Sequence, residues 1–406
     1  MRFLRPQLAC LLMMLSPGVS FAADWPMFRG PNGRSVADTQ TVPTEWSVTE
    51  GTNIAWQADL PGRGVSSPIV VGERLFLTAS SGPNRNRLHV LAFDTTSGKK
   101  LWHRQMWATG RTLCHETSAV AAPTPASDGS RVFAYFSSND LVAFDLDGNL
   151  LWMRGLALDF PGAGNDIGLS SSPVVVDDVV VIQSEAQGNS FVAAIDATDG
   201  STRWSLKRPE APSWSSPIVY DGEQEGKAVQ NVVLQSSGNL SAHRLVDGKE
   251  LWSLELACDT IPSPVFDKIL YVAAGGLLAL DVNNKPLDDA LVWQESKLKA
   301  GSPSPVILGD EIFVINSGGV LTCGSLEAKR VVWRQRLGGH FWATPVVVGN
   351  YLYCFNSSGK CFVVERGEKG KLISEMEFGE DILASPAVAN DAMFVRSHQH
   401  LWKIAN

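Results

Sequence analysis

The chain has 406 residues, of which 44% are hydrophobic and only 19% charged, so it is long enough to bury a large core. Its 36 glycines, 22 prolines and 13 tryptophans favour turns and strands over helices. A formal net charge of −8 and the lack of a basic block in the sequence argue against nucleic acid as a partner.

The first 22 residues have the three parts of an export signal. Arg2 and Arg5 form the basic region, residues 8–15 form the apolar run, and Ser20–Ala22 fits a cleavage site. The apolar run is too short to span a bilayer. We therefore predict that residues 1–22 are a signal peptide and that the mature chain is exported to the periplasm or the extracellular space. We expect no transmembrane segment in the mature chain.

A repeat of about 45 residues follows, and each copy opens with a proline that begins an apolar run. The prolines are Pro68, Pro123, Pro173, Pro217, Pro264, Pro305, Pro345 and Pro386. Serine precedes six of them, Ala122 and Thr344 being the exceptions. Two more apolar runs and a turn with glycine lead to a closing tryptophan strand, which makes four short strands per copy. The tryptophans are Trp56, Trp102, Trp152, Trp204, Trp252, Trp293 and Trp333, and the eighth position holds Ser374.

Eight copies of four antiparallel strands predict an all-β fold, an eight-bladed β-propeller. A single four-stranded sheet cannot bury both faces, so each blade must pack on the next, and the large flat tryptophans are suited to that docking role. The last copy supplies only three strands, and Asn53–Gln57 is expected to complete it. We therefore assign residues 53–406 to the propeller and residues 23–52 to an irregular cover segment.

The pattern Ala-x-Asp-x-x-x-Gly-x-x-x-Trp, clearest at 194–204, resembles the tryptophan-docking motif of pyrroloquinoline quinone (PQQ) propellers. The start, Asp24–Gly33, resembles the opening of exported bacterial PQQ-like repeat proteins. The resemblance covers nearly all of the mature chain and implies the fold. It leaves the function open, because such propellers include both quinone-dependent dehydrogenases and a scaffold lipoprotein of outer-membrane protein assembly.

The resemblance does not extend to the features that bind the quinone. The dehydrogenases carry two adjacent cysteines against the cofactor and hold calcium with Glu, Asn and Asp side chains, which are ligands that calcium prefers. No two cysteines are adjacent here, and no matching ligand set is identified. We expect no cofactor and no metal, with PQQ and calcium as the alternative.

Two connections between copies are longer than the others, residues 106–121 and 154–171. Loops on a rigid scaffold often carry binding residues, and these two are expected on one face, which we call the long-loop face. The candidate ligand-binding residues there are Arg111, His115, Glu116, Asn165, Asp166, Glu185, Trp214, His340 and Trp342. The alternative is that His115 and Glu116 hydrogen-bond within their own loop and that the two tryptophans only pack.

Cys354 and Cys361 flank the turn Ser357–Gly359. A two-residue loop would place them opposite each other and allow a disulfide, whereas a three-residue loop would shift the register. The alternative is that both are small buried apolar residues.

These observations predict a monomeric, exported, non-catalytic propeller that binds a protein or cell-envelope ligand on the long-loop face. One alternative is a PQQ- and calcium-dependent alcohol or sugar dehydrogenase. A second is a carbohydrate-binding or carbohydrate-active propeller that uses Trp214, Trp342 and the acidic pair Glu116 and Asp166.

Overall fold

The computed structural model describes residues 24–37, 40–224, 227–283 and 289–406, and the predicted signal peptide lies outside them. The strands form eight sheets around a central channel, and neighbouring inner strands contact one another around the ring. The helical elements that lie wholly within the described residues are a 3-10 turn, Pro31–Gly33, and one short helix, α1 (Leu156–Asp159). The predicted eight-bladed all-β propeller is confirmed.

The strands are numbered in chain order, and each blade is given from its inner to its outer strand. Blade 1 has β3 (Ile69–Val71), β4 (Arg74–Ser81), β5 (Arg87–Asp94) and β6 (Lys100–Trp107). Blade 2 has β7 (Ala126–Ser127), β8 (Arg131–Tyr135), β9 (Asp140–Asp145) and β10 (Leu150–Gly155). Blade 3 has β11 (Val174–Val176), β12 (Val179–Ser184), β13 (Ser190–Asp196) and β14 (Thr202–Arg208). Blade 4 has β15 (Ile218–Gln224), β16 (Lys227–Gln235), β17 (Asn239–Arg244) and β18 (Glu250–Glu255).

The second half of the ring has the same plan. Blade 5 has β19 (Val265–Asp267), β20 (Ile269–Ala273), β21 (Leu277–Leu280) and β22 (Leu291–Glu295). Blade 6 has β23 (Val306–Leu308), β24 (Glu311–Ile315), β25 (Val320–Ser325) and β26 (Arg330–Arg336). Blade 7 has β27 (Val346–Val348), β28 (Tyr351–Phe355), β29 (Lys360–Glu365) and β30 (Lys371–Glu377), with the short β1 (Val36–Ala37) added beside β27. Blade 8 has β31 (Ala387–Ala389), β32 (Ala392–Arg396), β33 (His400–Ile404) and β2 (Ile54–Asp59).

The ring is closed by the N-terminal strand β2, which is the outer strand of blade 8. It pairs antiparallel with β33, with Gln57 opposite Trp402 and Asp59 opposite His400. The predicted closure is therefore confirmed. The last blade is joined to both ends of the chain and leaves no unpaired edge on β33.

The tryptophan of one blade docks on the turn between the third and fourth strands of the next. For five tryptophans the indole N–H donates to a backbone carbonyl in that turn. These bonds run from Trp56 to Thr95 (3.0 Å), Trp102 to Leu146 (2.9 Å), Trp152 to Ala197 (3.0 Å), Trp204 to Leu245 (2.8 Å) and Trp333 to Gly367 (2.7 Å). The turn glycine lies under the ring, and a Cβ on Gly98 would come within 2.6 Å of Trp56. The Asp-Gly-Trp motif is therefore a contact between neighbouring blades.

The remaining docking tryptophans make other contacts. Trp252 donates to the hydroxyl of Tyr220 in its own blade (3.3 Å), and Trp293 packs on Tyr271 with 6.2 Å between ring centroids. The turn of blade 5 that follows Trp252 includes residues 284–288, which are outside the described part of the chain.

Trp46 occupies the place left by the missing eighth tryptophan. It is 5% exposed and stacks on Tyr353, the second-strand aromatic of blade 7, with 6.4 Å between centroids and 15° between planes. Ser374, at the docking position of that blade, donates its hydroxyl to the carbonyl of Thr44. A tryptophan at 374 would need a turn in blade 8, but there the two chain ends take the place of that turn, so the N-terminal segment supplies the indole instead.

The segment before β2 also crosses one end of the central channel. Trp25 pairs with blade 1, the carbonyl of Pro26 accepts a bond from blade 2, and Arg29 donates to Pro264 O of blade 5 (2.8 Å). Val36 then pairs in parallel with β27 of blade 7. Because blades 1 and 5 lie on opposite sides of an eight-membered ring, this segment spans the channel and closes that end.

Two sequence-based expectations change in the structure. In blade 2 the strand-opening proline is Pro125 and not Pro123, because β7 begins at Ala126, directly after Pro125. The two prolines are only two residues apart, which made the repeat ambiguous there. The residue before it is then Thr124, so a hydroxyl residue precedes the proline in all eight blades.

Cys354 and Cys361 do not form the disulfide. The turn between β28 and β29 spans residues 356–359, and Cys354 pairs with Phe362 while Cys361 pairs with Phe355. This one-residue offset sends the two side chains to opposite faces of the sheet, where they join different apolar cores as free buried thiols.

Candidate functional site

A belt of hydroxyl groups surrounds the central channel. It consists of the residue before the opening proline of each blade: Ser67, Thr124, Ser172, Ser216, Ser263, Ser304, Thr344 and Ser385. From Ser67 round to Ser385, each backbone N–H donates to the hydroxyl of the next blade over 2.9 to 3.1 Å. The hydroxyl residues before the opening prolines therefore hydrogen-bond each blade to the next around the channel, from blade 1 to blade 8.

The channel widens above the belt into a funnel of about 410 Å³ on the long-loop face. Phe28, from the segment that closes the opposite end, contributes to its floor. The walls combine the belt hydroxyls with apolar and aromatic side chains, Val65, Ile167, Trp214, Ile261, Trp342 and Leu383. Among the described lining residues, His115 is the only one with an ionisable side chain.

The two long connections dock on each other and form one wall of the funnel. The N–H of His115 donates to the carbonyl of Ile167 (3.0 Å), and Arg111 forms an exposed ion pair with Asp166 (2.6 Å). Trp214 donates its indole N–H to Gly168 O (2.8 Å), which ties this wall to the approach to blade 4. The connections are therefore held in place by specific contacts.

The structure brings three of the predicted residues, His115, Trp214 and Trp342, to the funnel. The backbone N–H of Thr117 donates to Nδ1 of His115 (3.2 Å), so the neutral ring carries its proton on Nε2. His115 therefore bonds within its own loop and also faces the funnel. Trp342 is 40% exposed and offers an aromatic surface at the mouth.

Three other predicted residues lie at the surface. Glu116 and His340 are exposed and are not among the residues lining the funnel. Asp166 is engaged with Arg111, so it does not form a free acidic pair with Glu116. This arrangement gives little support to acid–base cleavage of a carbohydrate at these positions.

Glu185 is not a surface residue, contrary to its place in the predicted ligand-binding set. It is fully buried, and its Oε1 accepts bonds from Arg208 Nε (2.8 Å) and from the hydroxyl of Ser236 in blade 4 (2.7 Å). Burial raises the pKa of Glu185, and Arg208 opposes that rise. Both members of this ion pair belong to blade 3, and both bond to the Ser236 hydroxyl of blade 4. The position of Glu185 in a loop after β12 did not reveal this link between blades.

Asn165 is also buried rather than available to a ligand. Its Oδ1 accepts the N–H of Ile167 (3.0 Å) and so fixes the turn that carries Ile167 to the funnel. Asn165 is therefore a positioning residue for the funnel wall. Ile167, Ile261 and Leu383 are funnel residues that sequence reasoning missed, because an isolated apolar residue in a loop carries no chemical signal.

The funnel does not fit PQQ with calcium. Calcium prefers carboxylate and carbonyl oxygens, and the described funnel residues offer hydroxyls but no carboxylate. The described residues also contain no group of three or more His, Cys, Asp and Glu side chains arranged to hold a metal. The quinone is itself a polycarboxylate, and the described lining supplies no Lys or Arg to bind it.

Comparison with known proteins decides the family. The profile described as "Outer membrane protein assembly factor BamB" matches residues 36–188, 166–285 and 273–369 in successive overlapping stretches. The chain belongs to the BamB family. The expected likeness to PQQ-type propellers is thereby confirmed.

Individual BamB proteins are distant in sequence, and the share of each chain that matches differs between them. The protein from Bordetella pertussis is 23% identical over 397 residues, covering 92% of this chain and 89% of its own length. The protein from Alkalilimnicola ehrlichii is 28% identical over 205 residues, about half of each chain.

Solved structures show the same fold. BamB from Moraxella catarrhalis superposes with a TM-score of 0.64 at 15% identity, covering 87% of this chain and 97% of that structure. A europium-containing methanol dehydrogenase reaches 0.71 at 12% identity over 95% of this chain and 98% of its own. At such identities these two superpositions show a shared fold and nothing about function.

Proposed function

We propose that this protein is an exported, non-catalytic propeller that takes part in the assembly of outer-membrane proteins by binding a protein partner on its long-loop face. Membership of the BamB family carries the proposal. The described lining of the funnel agrees with it, because that lining has no carboxylate to hold calcium and no Lys or Arg to bind the quinone. Residues 1–22 would then serve as the export signal. Among the described residues, no helix is long and apolar enough to cross a membrane.

The long-loop face presents exposed apolar residues suited to a protein partner. Leu113 is 53% exposed, Leu158 77%, Ile167 41% and Trp342 40%. The first three belong to the two long connections, which also form the wall of the funnel. Because these two connections are bonded to each other, their exposed apolar side chains lie on one part of the face. Aromatic residues such as Trp342 are the strongest anchors for a protein partner.

The docking proposal is tested by measuring binding of residues 24–406 to the purified periplasmic part of the host's outer-membrane protein assembly machinery. We expect Leu113→Ser, Ile167→Ser and Trp342→Ala each to raise the dissociation constant about tenfold, the cost of losing one anchoring contact. The matched control is Val246→Ser. Val246 is 63% exposed in the turn between the third and fourth strands of blade 4, away from this face.

Loss of binding in the Val246 variant together with full binding by the three others would place the partner elsewhere. The non-catalytic part of the proposal has its own test, reduction of an artificial electron-accepting dye by a primary alcohol or an aldose after addition of PQQ and calcium to the purified protein. Dye reduction that depends on both additions would overturn it.

A further inference from the structure

A second cavity, of about 180 Å³, lies between blades 8 and 1 beside the funnel. Val65 and Leu383 line both cavities, so the two adjoin on the long-loop face. The cavity reaches the surface at Asp381 and His398, whose side chains are exposed. Its inner wall is formed by Arg63, Gly64 and Arg396.

Arg396, the last residue of β32, is 1% exposed and reaches from blade 8 into blade 1. Its Nη1 donates to the hydroxyl of Ser66 (2.7 Å) and to the carbonyl of Thr78 (2.6 Å). Its Nε and Nη2 have no hydrogen-bond acceptor in the described protein, and neither has the buried Nε of Arg63. The guanidinium is thus fixed on one side and has unused donors on the other.

No acidic side chain of the described residues forms an ion pair with Arg396. Arg208 is the instructive contrast, because it is almost equally buried but is paired with Glu185. Burial lowers the pKa of Arg396 to about 9, so it still carries its charge at neutral pH. A buried charge without a counterion is costly, so an anion that neutralises this one would be bound favourably.

We propose that this cavity binds a single carboxylate group, held by the Nε–H and Nη2–H edge of Arg396 with Arg63 beside it. That edge of a guanidinium presents two parallel N–H groups, the geometry that receives both oxygens of a carboxylate. One water needs only about 10–15 Å³ of such space, so the cavity has room for a small organic acid or the end of a peptide.

The groups at the rim narrow the choice of ligand. Asp381 carries a negative charge where a bound acid would extend toward solvent, so it disfavours a second negative charge on the ligand. His398 is the other titratable group at the rim. A monocarboxylate is therefore preferred over a dicarboxylate, and the site differs from the proposed docking surface in both its residues and its chemistry.

The test is thermal unfolding and calorimetric titration of residues 24–406 with sodium acetate, with sodium chloride at equal ionic strength as reference. A ligand that binds only the native state raises its midpoint, so acetate is expected to raise it by about 2 °C or more over chloride. A short peptide with a free C-terminus, compared with its amidated form, distinguishes a peptide end from a free acid as the source of the carboxylate. Equal midpoints in acetate and chloride, with no heat of binding, would overturn the proposal.

Three variants locate the site. Arg63→Met should raise the acetate dissociation constant about tenfold, the usual effect of losing a hydrogen bond to a charged group. Gly64→Ala places a Cβ 2.2 Å from Nη2 and should abolish binding while keeping both charges. Arg396→Met should also abolish it and, if it unfolds, the first two variants still decide the question.

Arg336→Met is the matched control, since Arg336 is an exposed arginine at the end of β26. It should leave acetate binding unchanged. An unchanged acetate dissociation constant in both Arg63→Met and Gly64→Ala would mean that the anion lies elsewhere, for example beside the buried Arg29, and would refute the site proposed here.

Discussion

Single polar residues buried between blades set how neighbouring blades meet. Glu185 and Arg208 link blade 3 to Ser236 of blade 4, and the belt hydroxyls link inner strands around the channel. Removing one partner of a buried pair leaves the other charge uncompensated, which usually costs more than the pair contributes. We therefore expect a substitution of Glu185 to lower the stability of the protein, whether or not a ligand binds nearby.

Stability should depend on pH through His89, which is 3% exposed in blade 1. Its Nδ1 is 2.8 Å from Nε2 of His103, and its Nε2 is 2.8 Å from the hydroxyl of Ser81. Burial, with smaller contributions from His103 and Arg87, lowers the pKa of His89 to about 4. Between pH 6.5 and 4 the unfolded chain therefore binds a proton that the native state does not.

We expect the free energy of unfolding to fall as the pH is lowered through this window, by up to about 1.4 kcal/mol per pH unit for this group. His89→Gln should have a shallower slope between pH 6.5 and 4, measured by urea unfolding at a series of pH values. His398→Gln is the control, because His398 is exposed. Identical slopes for His89→Gln and the wild-type protein would show that His89 is not the group responsible.

At the scale of the element, the turn between the third and fourth strands is the unit that joins one blade to the next. Gly98 illustrates its two requirements, a φ of +69° and space beneath the indole of Trp56. A side chain at this position would be strained by the backbone and would also collide with the ring. Blade 8 has no such turn, and Trp46 from the N-terminal segment supplies the indole that packs on blade 7 instead.

Trp46→Ala should destabilise the protein by about 3–5 kcal/mol, as expected for removing a buried indole. Chemical denaturation measures this, with Trp107→Ala as control, since Trp107 is 60% exposed and should change stability by less than about 0.5 kcal/mol. Adding Ser374→Trp to the Trp46 variant should not restore stability, because there is no turn in blade 8 for it to dock on. Full restoration would contradict this account of Trp46.

At the scale of the whole molecule, the N-terminal segment both closes the ring and seals one end of the channel. Its contacts reach across the entire sequence, as in the bond from the Tyr353 hydroxyl to Val42 O (2.9 Å). Blade 8 without β2 would expose the unpaired edge of β33, and such edges promote association between chains.

A chain that begins at residue 61 lacks this segment and β2, and we expect it to aggregate or to unfold at a much lower temperature than a chain beginning at residue 24. A synthetic peptide of residues 24–60 added during refolding should restore a monomeric species in size-exclusion chromatography. A truncated chain that is monomeric and has an unchanged unfolding midpoint would show that ring closure does not depend on β2.

The sequence by itself determined the number of blades, the four-strand plan and the closing strand, because apolar periodicity and turn residues act over a few positions. It misplaced the opening of blade 2, where Pro123 and Pro125 both fit the repeat. Tertiary structure alone decided that Glu185 is buried against Arg208 and that Trp46 replaces the tryptophan missing at Ser374. It also decided that Arg396 faces a cavity and forms no ion pair with an acidic side chain of the described residues. Each of these depends on which residues from distant parts of the chain meet at a blade interface, and burial there, rather than residue type, decides whether a polar group is structural or available to a ligand.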